Sequence, residues 1–296
     1  MKPLYLAALL LLGAIWGASF LFIGLAVKAF GPVVMMFLRV AVAGAILAGL
    51  ARFSGLAPKP ATGLDWRENG PKYFVVGLLN CALPFTLIAF SELRLTVSLA
   101  AVLNSTTPLF TVLMAALWSG QPLATRTILG VLLGVIGVAV LVGAGPLNLT
   151  LDLGIAVLAS LVAAFCYGSA TVYAARHLTT LSPIQASTAQ LSSAAVLLAV
   201  PAMLTLPASV PSVTAIGALL ALILLSTAVA YLLYFSLLRR IGSTGTASVT
   251  FLVPVFGSLW GVLFLHEPFT PGMLLGMALI LTSVGLVLRS AARKQA

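Results

Sequence analysis

Ten apolar runs fill most of the chain, near 4–27, 32–51, 72–91, 96–118, 125–143, 153–175, 182–204, 212–238, 244–265 and 272–289. Most are too long and too rich in Leu and Ala to be buried strands. As helices rising 1.5 Å per residue, about 20 such residues cross the ~30 Å hydrocarbon core of a bilayer. The expected fold is an all-α membrane protein with ten transmembrane helices. Composition removes the soluble alternative. Only 7% of residues are charged and 61% are hydrophobic, against about 25% charged in soluble domains, so the chain cannot cover itself with a polar surface.

The net charge of +10 raises nucleic acid as a partner. The basic residues form no clustered patch, however, and their positions fit membrane topology, so the expected partner is the lipid bilayer and not nucleic acid. Lys2 ahead of the first run resembles the start of a signal peptide. No small-x-small cleavage site follows, and a matching helix recurs at 153–175, so the first run is expected to be a retained span. The longest polar connector, 52–71, is expected to be a surface loop. Cys81 and Cys166 fall inside apolar runs and suggest neither a disulfide nor a metal site.

The chain repeats itself. The stretch 254–288 matches 108–142 at a shift of 146, setting Pro108 on Pro254, Phe110 on Phe256, Pro122 on Pro268 and Gly130 on Gly276. A shift of 151 places Trp16-Gly17 on Tyr167-Gly168, Gly31-Pro32 on Ser182-Pro183 and Arg39 on Gln190. At a shift of 145, Phe90-Ser91 falls on Phe235-Ser236 and Arg94 on Arg239. Residues 1–145 and 150–296 thus read as two copies of five spans. Five is odd, so the second copy enters the membrane from the opposite side. Such inverted repeats place a site at the midplane between the halves in many secondary transporters.

Charge sets the orientation. With a cytoplasmic N-terminus, Lys2, Arg52, Lys59, Arg67, Lys72, Arg126, Arg176, Arg239, Arg240, Arg289, Arg293 and Lys294 are cytoplasmic, and only Lys28 and Arg94 are outside. That asymmetry supports two cytoplasmic termini.

The membrane interior is poor in ionisable groups. Asp65 and Glu68 sit in the cytoplasmic connector, Glu92, Asp152 and Glu267 near outer helix ends, and His177 and His266 at helix ends. No carboxylate or histidine is expected at the midplane. This speaks against an intramembrane hydrolase or phosphotransferase, against a cofactor or metal, and against a carboxylate-coupled pump. Movement is therefore expected to be facilitated and downhill. Arg39, about eight residues into the second span, is read as a structural charge that snorkels outward or hydrogen-bonds carbonyls and an outer acid such as Glu92 or Glu267, or else as a contact for a substrate carboxylate.

Polar and aromatic residues recur at matched places. Trp16, Asn80, Phe85, Asn104, Tyr167, Tyr231 and Tyr234 are the candidate substrate-binding residues. The pairs Trp16/Tyr167, Asn104/Thr250 and Phe85/Tyr231 favour a shared central cavity, although helix packing or an interfacial belt could use the same residue types. Pro84, Pro108 and Pro254 each remove a backbone hydrogen bond inside a span. The symmetric pair Pro108 and Pro254 is a candidate hinge or a static bend. Gly13/Gly17, Gly130/Gly134 and Gly272/Gly276 permit close helix approach.

These features resemble the EamA-type members of the drug/metabolite transporter superfamily. The residues that carry the resemblance are the arginine in FLRV (37–40), the in-span Pro108 and Pro254, and HEPFTPGMLLGMALILTSVGLVL at 266–288. In that family the last motif carries a glutamate before the proline, here Glu267; the first copy departs from it with Gln121. Overall similarity and the aromatic interior make the chain look most like the YddG group. The resemblance implies a bacterial-type inner-membrane exporter, working by alternating access on neutral, aromatic or bulky apolar amino acids. A multidrug or other small-metabolite exporter is the alternative. A non-transporting scaffold is disfavoured by buried polar residues in both halves. No partner chain is implied, and a monomer is the simplest expectation.

Overall fold

The computed structural model describes residues 3–53, 64–120, 122–144, 147–148 and 150–295. Lys2, Lys59, Gln121 and the 54–63 portion of the long connector lie outside the described residues. Among the described residues, ten helices are long and apolar enough to cross a membrane: α1 (Pro3–Phe30), α2 (Pro32–Arg52), α3 (Trp66–Ser91), α4 (Val97–Ser119), α5 (Thr125–Gly143), α6 (Leu151–His177), α7 (Pro183–Leu204), α8 (Val213–Gly242), α9 (Gly245–Leu265) and α10 (Pro271–Leu288). No strand occurs among the described residues. The chain is a multi-pass, all-α membrane protein. With ten spans, both termini lie on one face, called here the terminal side; the opposite face is the far side.

The connectors supply the caps that start these helices. Thr96, Thr150, Ser182 and Ser212 each accept a hydrogen bond from a first-turn N–H of α4, α6, α7 and α8, satisfying donors that lipid would leave orphaned. Asp65 does the same for α3, its Oδ1 lying 3.1 Å from both Arg67 N and Glu68 N. The cap begins α3 at Trp66, six residues earlier than the apolar pattern predicts. The polar stretch after Asp65 is its first turns and not a loop.

The tightest packing runs between the two halves. α2 packs on α7, α5 on α10, α1 on α9 and α8, and α6 on α4 and α3. Small residues set the distances. A Cβ at Gly17 would fall 2.7 Å from Gly257 N on α9, and one at Gly168 would fall 2.7 Å from Thr111 N on α4. Gly17 and Gly168 are repeat-related, so the first helix of each half crosses the fourth helix of the other half at the same spot. α5 and α10 meet through Gly130, Gly134, Gly137 and Gly276. Their outer faces expose Leu129, Leu132, Val135, Leu274 and Leu275, as a lipid-facing surface requires. This is the interlock of two inverted five-helix repeats.

Several spans are broken near mid-membrane. α3 turns π-helical over Leu78–Ala82 and α8 over Leu224–Val229, again repeat-related. In α3 this places Pro84 at the start of the resumed helix Leu83–Ser91, so its missing N–H falls where the ladder is already shifted. α4 stops at Asn104 and restarts at Thr107, with Pro108 in the first turn of the new piece. Pro254 lies inside the continuous helix Val249–Leu265. The proline pair is therefore not equivalent: Pro108 marks a break, whereas Pro254 does not.

Candidate functional site

The breaks surround one cavity of about 460 Å³, between α1, α2, α3, α4, α6, α7, α8 and α9. All seven candidate substrate-binding residues line it: Trp16, Asn80, Phe85, Asn104, Tyr167, Tyr231 and Tyr234. The aromatic rings form pairs across helices. Trp16 and Tyr234 stand 5.5 Å apart between centroids, and Phe85 and Tyr167 stand 6.3 Å apart edge to face. These are separations at which aromatic quadrupoles attract.

The π segments aim polar groups inward. Asn80 donates to Gln190 Oε1 at 2.7 Å. Ser226 donates to Ile15 O at 3.0 Å, tying α8 to α1. Thr227 donates to Leu222 O and accepts from Arg39 Nε at 3.0 Å. Gln190 was missed as a cavity residue, although the repeat sets it on Arg39. Ser187 and Thr107 also line the cavity, but nothing in their sequence context distinguishes them from packing serines and threonines.

Arg39 neither snorkels nor meets an acid. It is 6% exposed, and its guanidinium carbon lies 3.9 Å from the centroid of the Phe85 ring. Its Nη1 has only the Met36 sulfur at 3.9 Å, a poor acceptor. Arg39 is the one charged residue in the described lining, and no carboxylate pairs with it. Asn104 Oδ1 is likewise buried without a hydrogen-bond partner. An unpaired cation and an unpaired carbonyl oxygen are costly in a low-dielectric interior. Both are groups that a polar solute can satisfy.

The cavity reaches toward the terminal side as far as Ala247 and Thr250, and ends toward the far side at Ile23 and Ile88. Beyond that end the helices are clamped. Glu267, in the connector after α9, accepts from Val97 N at 2.6 Å, Ser98 N at 2.9 Å and Ser98 Oγ at 2.6 Å. A carboxylate on the first turn of α4 is favoured by the helix dipole and the free N–H groups there. Beside it, Glu92 is 5% exposed, and neither of its carboxyl oxygens has a hydrogen-bond partner. Burial, followed by the neighbouring Glu267 carboxylate, pushes the Glu92 carboxyl well above the usual carboxylate range, against smaller pulls from Arg39 and the Gly24 backbone. Glu92 and Glu267 lie at outer helix ends, as expected, and the cavity lining holds no carboxylate among the described residues, but the burial of Glu92 was not expected. Further out, Arg94 and Asp152 pair at 3.4 Å, exposed to solvent, where such a pair is worth about 0–1 kcal/mol.

Comparison with known proteins follows the same two halves. Residues 3–143 and 154–289 each match the EamA-like transporter family. YvbV of Bacillus subtilis (strain 168), an uncharacterized transporter, is 31% identical over 236 residues, covering 79% of this chain and 77% of YvbV. An uncharacterized transporter of Archaeoglobus fulgidus is 26% identical over 93% of this chain and 95% of its own length. Protein PecM of Dickeya dadantii (strain 3937) is 25% identical over 77% of this chain and 75% of PecM. A crystal structure of 21% identity superposes over 99% of this chain and 98% of its own with a TM-score of 0.61, which speaks to the fold. The chain belongs to the EamA-like transporter family.

Proposed function

We propose that this transporter exports neutral amino acids with aromatic or bulky apolar side chains, by alternating access and down their gradient. The observation that carries this reading is an aromatic cavity whose single charge is an unpaired guanidinium. Arg39 is suited to the α-carboxylate, since charge-assisted Arg–carboxylate bonds are among the strongest available. Asn104 Oδ1 is suited to the ammonium group, and the rings around Trp16 and Tyr231 to a flat apolar side chain. About 460 Å³ is within the range of small-molecule pockets. The lone positive charge disfavours cationic drugs, against the multidrug alternative.

Direction and compartment rest on charge placement. The described basic side chains Arg52, Arg67, Lys72, Arg126, Arg176, Arg239 and Arg240 sit at terminal-side ends of spans, whereas Lys28 and Arg94 are at far-side ends. The positive-inside rule then makes the terminal side cytoplasmic in a bacterial inner membrane, with the cavity facing the cytoplasm. A zwitterion carries no net charge for the membrane potential to act on, which supports facilitated movement. The test is efflux from liposomes containing the purified protein, preloaded in turn with labelled phenylalanine, tryptophan, alanine, lysine and glutamate. The proposal expects the first two to leave fastest. Equal rates for all five, or rates no faster than protein-free liposomes, would reject it.

A further inference from the structure

Glu92 is used by nothing in the proposed cycle, yet among the described residues both of its buried carboxyl oxygens lack a hydrogen-bond partner. It caps the C-terminus of α3, where the helix carbonyls already disfavour negative charge. Its Oε2 sits 3.4 Å from where a Cβ at Gly24 would be, so it is pressed against α1. Glu267, satisfied by its three donors at the start of α4, is within electrostatic reach. Two carboxyls within reach of each other, with donors for only one, favour a single negative charge, and the group without donors takes the proton. The other charged side chains nearby do not compensate it. Arg39 is within electrostatic reach but bonded to Thr227 and stacked on Phe85. Arg94 is turned to Asp152, and Lys28 and His266 are exposed.

We propose that Glu92 is a proton-binding site built into the far-side seal, holding its proton while the seal is closed and releasing it when the seal opens. The inference rests on the alternating-access reading. Opening at this end must part α1 from the α3 end and the Glu267 clamp from α4, which admits water to Glu92. Hydrated, its carboxyl returns toward the ordinary range, near 4.3. The closed state binds the extra proton, so acid holds the seal shut, and raising the far-side pH through the elevated value favours opening, by up to about tenfold per pH unit for one proton. In the closed state Glu92 is off the cavity lining, and its proton enters and leaves from the far side alone. The site therefore gates flux without driving it.

Two measurements on the full protein in nanodiscs or liposomes test this. The first is the infrared carbonyl band of protonated carboxyls at neutral pH. The wild type and Glu267→Gln are expected to show a band that Glu92→Gln lacks; identical wild-type and Glu92→Gln spectra would overturn the proposal whatever the protein transports. The second places a reporter in the seal, Val97→Cys, which is 2% exposed beside Gly24. Modification by a membrane-impermeant maleimide is followed after correcting for the reagent's own pH dependence. Labelling from the far side should rise with pH in the Glu92 background and stay low and flat with Glu92→Gln, the neutral isostere. Labelling that ignores pH, or that Glu92→Gln leaves unaltered, would overturn it. Amino-acid efflux separates the two ideas. Efflux insensitive to far-side pH ends the gating proposal and leaves the substrate reading standing; pH-dependent labelling without amino-acid efflux does the reverse.

Discussion

Arg39 can be replaced without emptying the space it fills. Methionine is similar in length, and an apolar side chain removes the desolvation cost that an unpaired buried charge carries. Arg39→Met is thus expected to keep or raise thermal stability in detergent. Losing a charge-assisted bond worth about 1.5–3 kcal/mol should weaken phenylalanine binding roughly ten- to a hundredfold, and leave phenylalanine methyl ester unaffected. Isothermal titration of the two ligands checks this; an equal loss for both would make Arg39 a packing residue. Trp16→Ala and Tyr231→Ala should slow phenylalanine and tryptophan efflux about two- to tenfold more than alanine efflux at equal expression, from aromatic contacts of about 0.5–1.5 kcal/mol. Unchanged selectivity would assign both rings to packing. The cavity residues were legible because polar and aromatic side chains stand out in leucine-rich spans and recur across the repeat. Two properties were not legible. Arg39's lack of a partner depends on where the acids go in space. Glu92's burial depends on how α1 packs against the end of α3, a helix end that sequence position makes look exposed.

The same contrast holds for elements. Span number follows from hydrophobic run length, and glycine pairs advertise close approach, yet neither names the neighbour. Only the structure shows that α5 meets α10 across the repeat. A Cβ at Gly276 would lie 2.7 Å from the backbone Cα of Leu141, where no side chain can swing aside. Gly276→Ala should cost about 1–3 kcal/mol by overpacking and lower the melting temperature without altering substrate preference, since α10 does not line the cavity. Gly154→Ala on α6 has open space at that position and replaces glycine in a helix with the best helix former, so its melting temperature should hold or rise. Thermal unfolding in detergent distinguishes the two; equal shifts would refute the packing account. The π segments had no sequence signature. LLNCA and LLSTAV read as ordinary span, although the structure ties each to another helix, through Asn80 to Gln190 and through Ser226 to Ile15 O and Thr227 to Arg39.

At the scale of the whole molecule, the inverted repeat was visible as a shift of 145–151 between two glycine- and proline-punctuated halves. It predicts opposite orientations for the two five-span copies and a site between them, but not which helices interlock. Impermeant labelling of a cysteine at position 296 should report a cytoplasmic end; a periplasmic one would reverse the transport direction argued here. In the proposed cycle the solute's own gradient moves it through this cavity. Liposomes holding the purified protein, with equal labelled phenylalanine inside and out, provide the test. Diluting the outside should start flux that excess tryptophan blocks, whereas imposing a pH or sodium gradient at equal phenylalanine should alter exchange rates and produce no net accumulation. Net accumulation under an ion gradient, or no flux under a phenylalanine gradient, would contradict it.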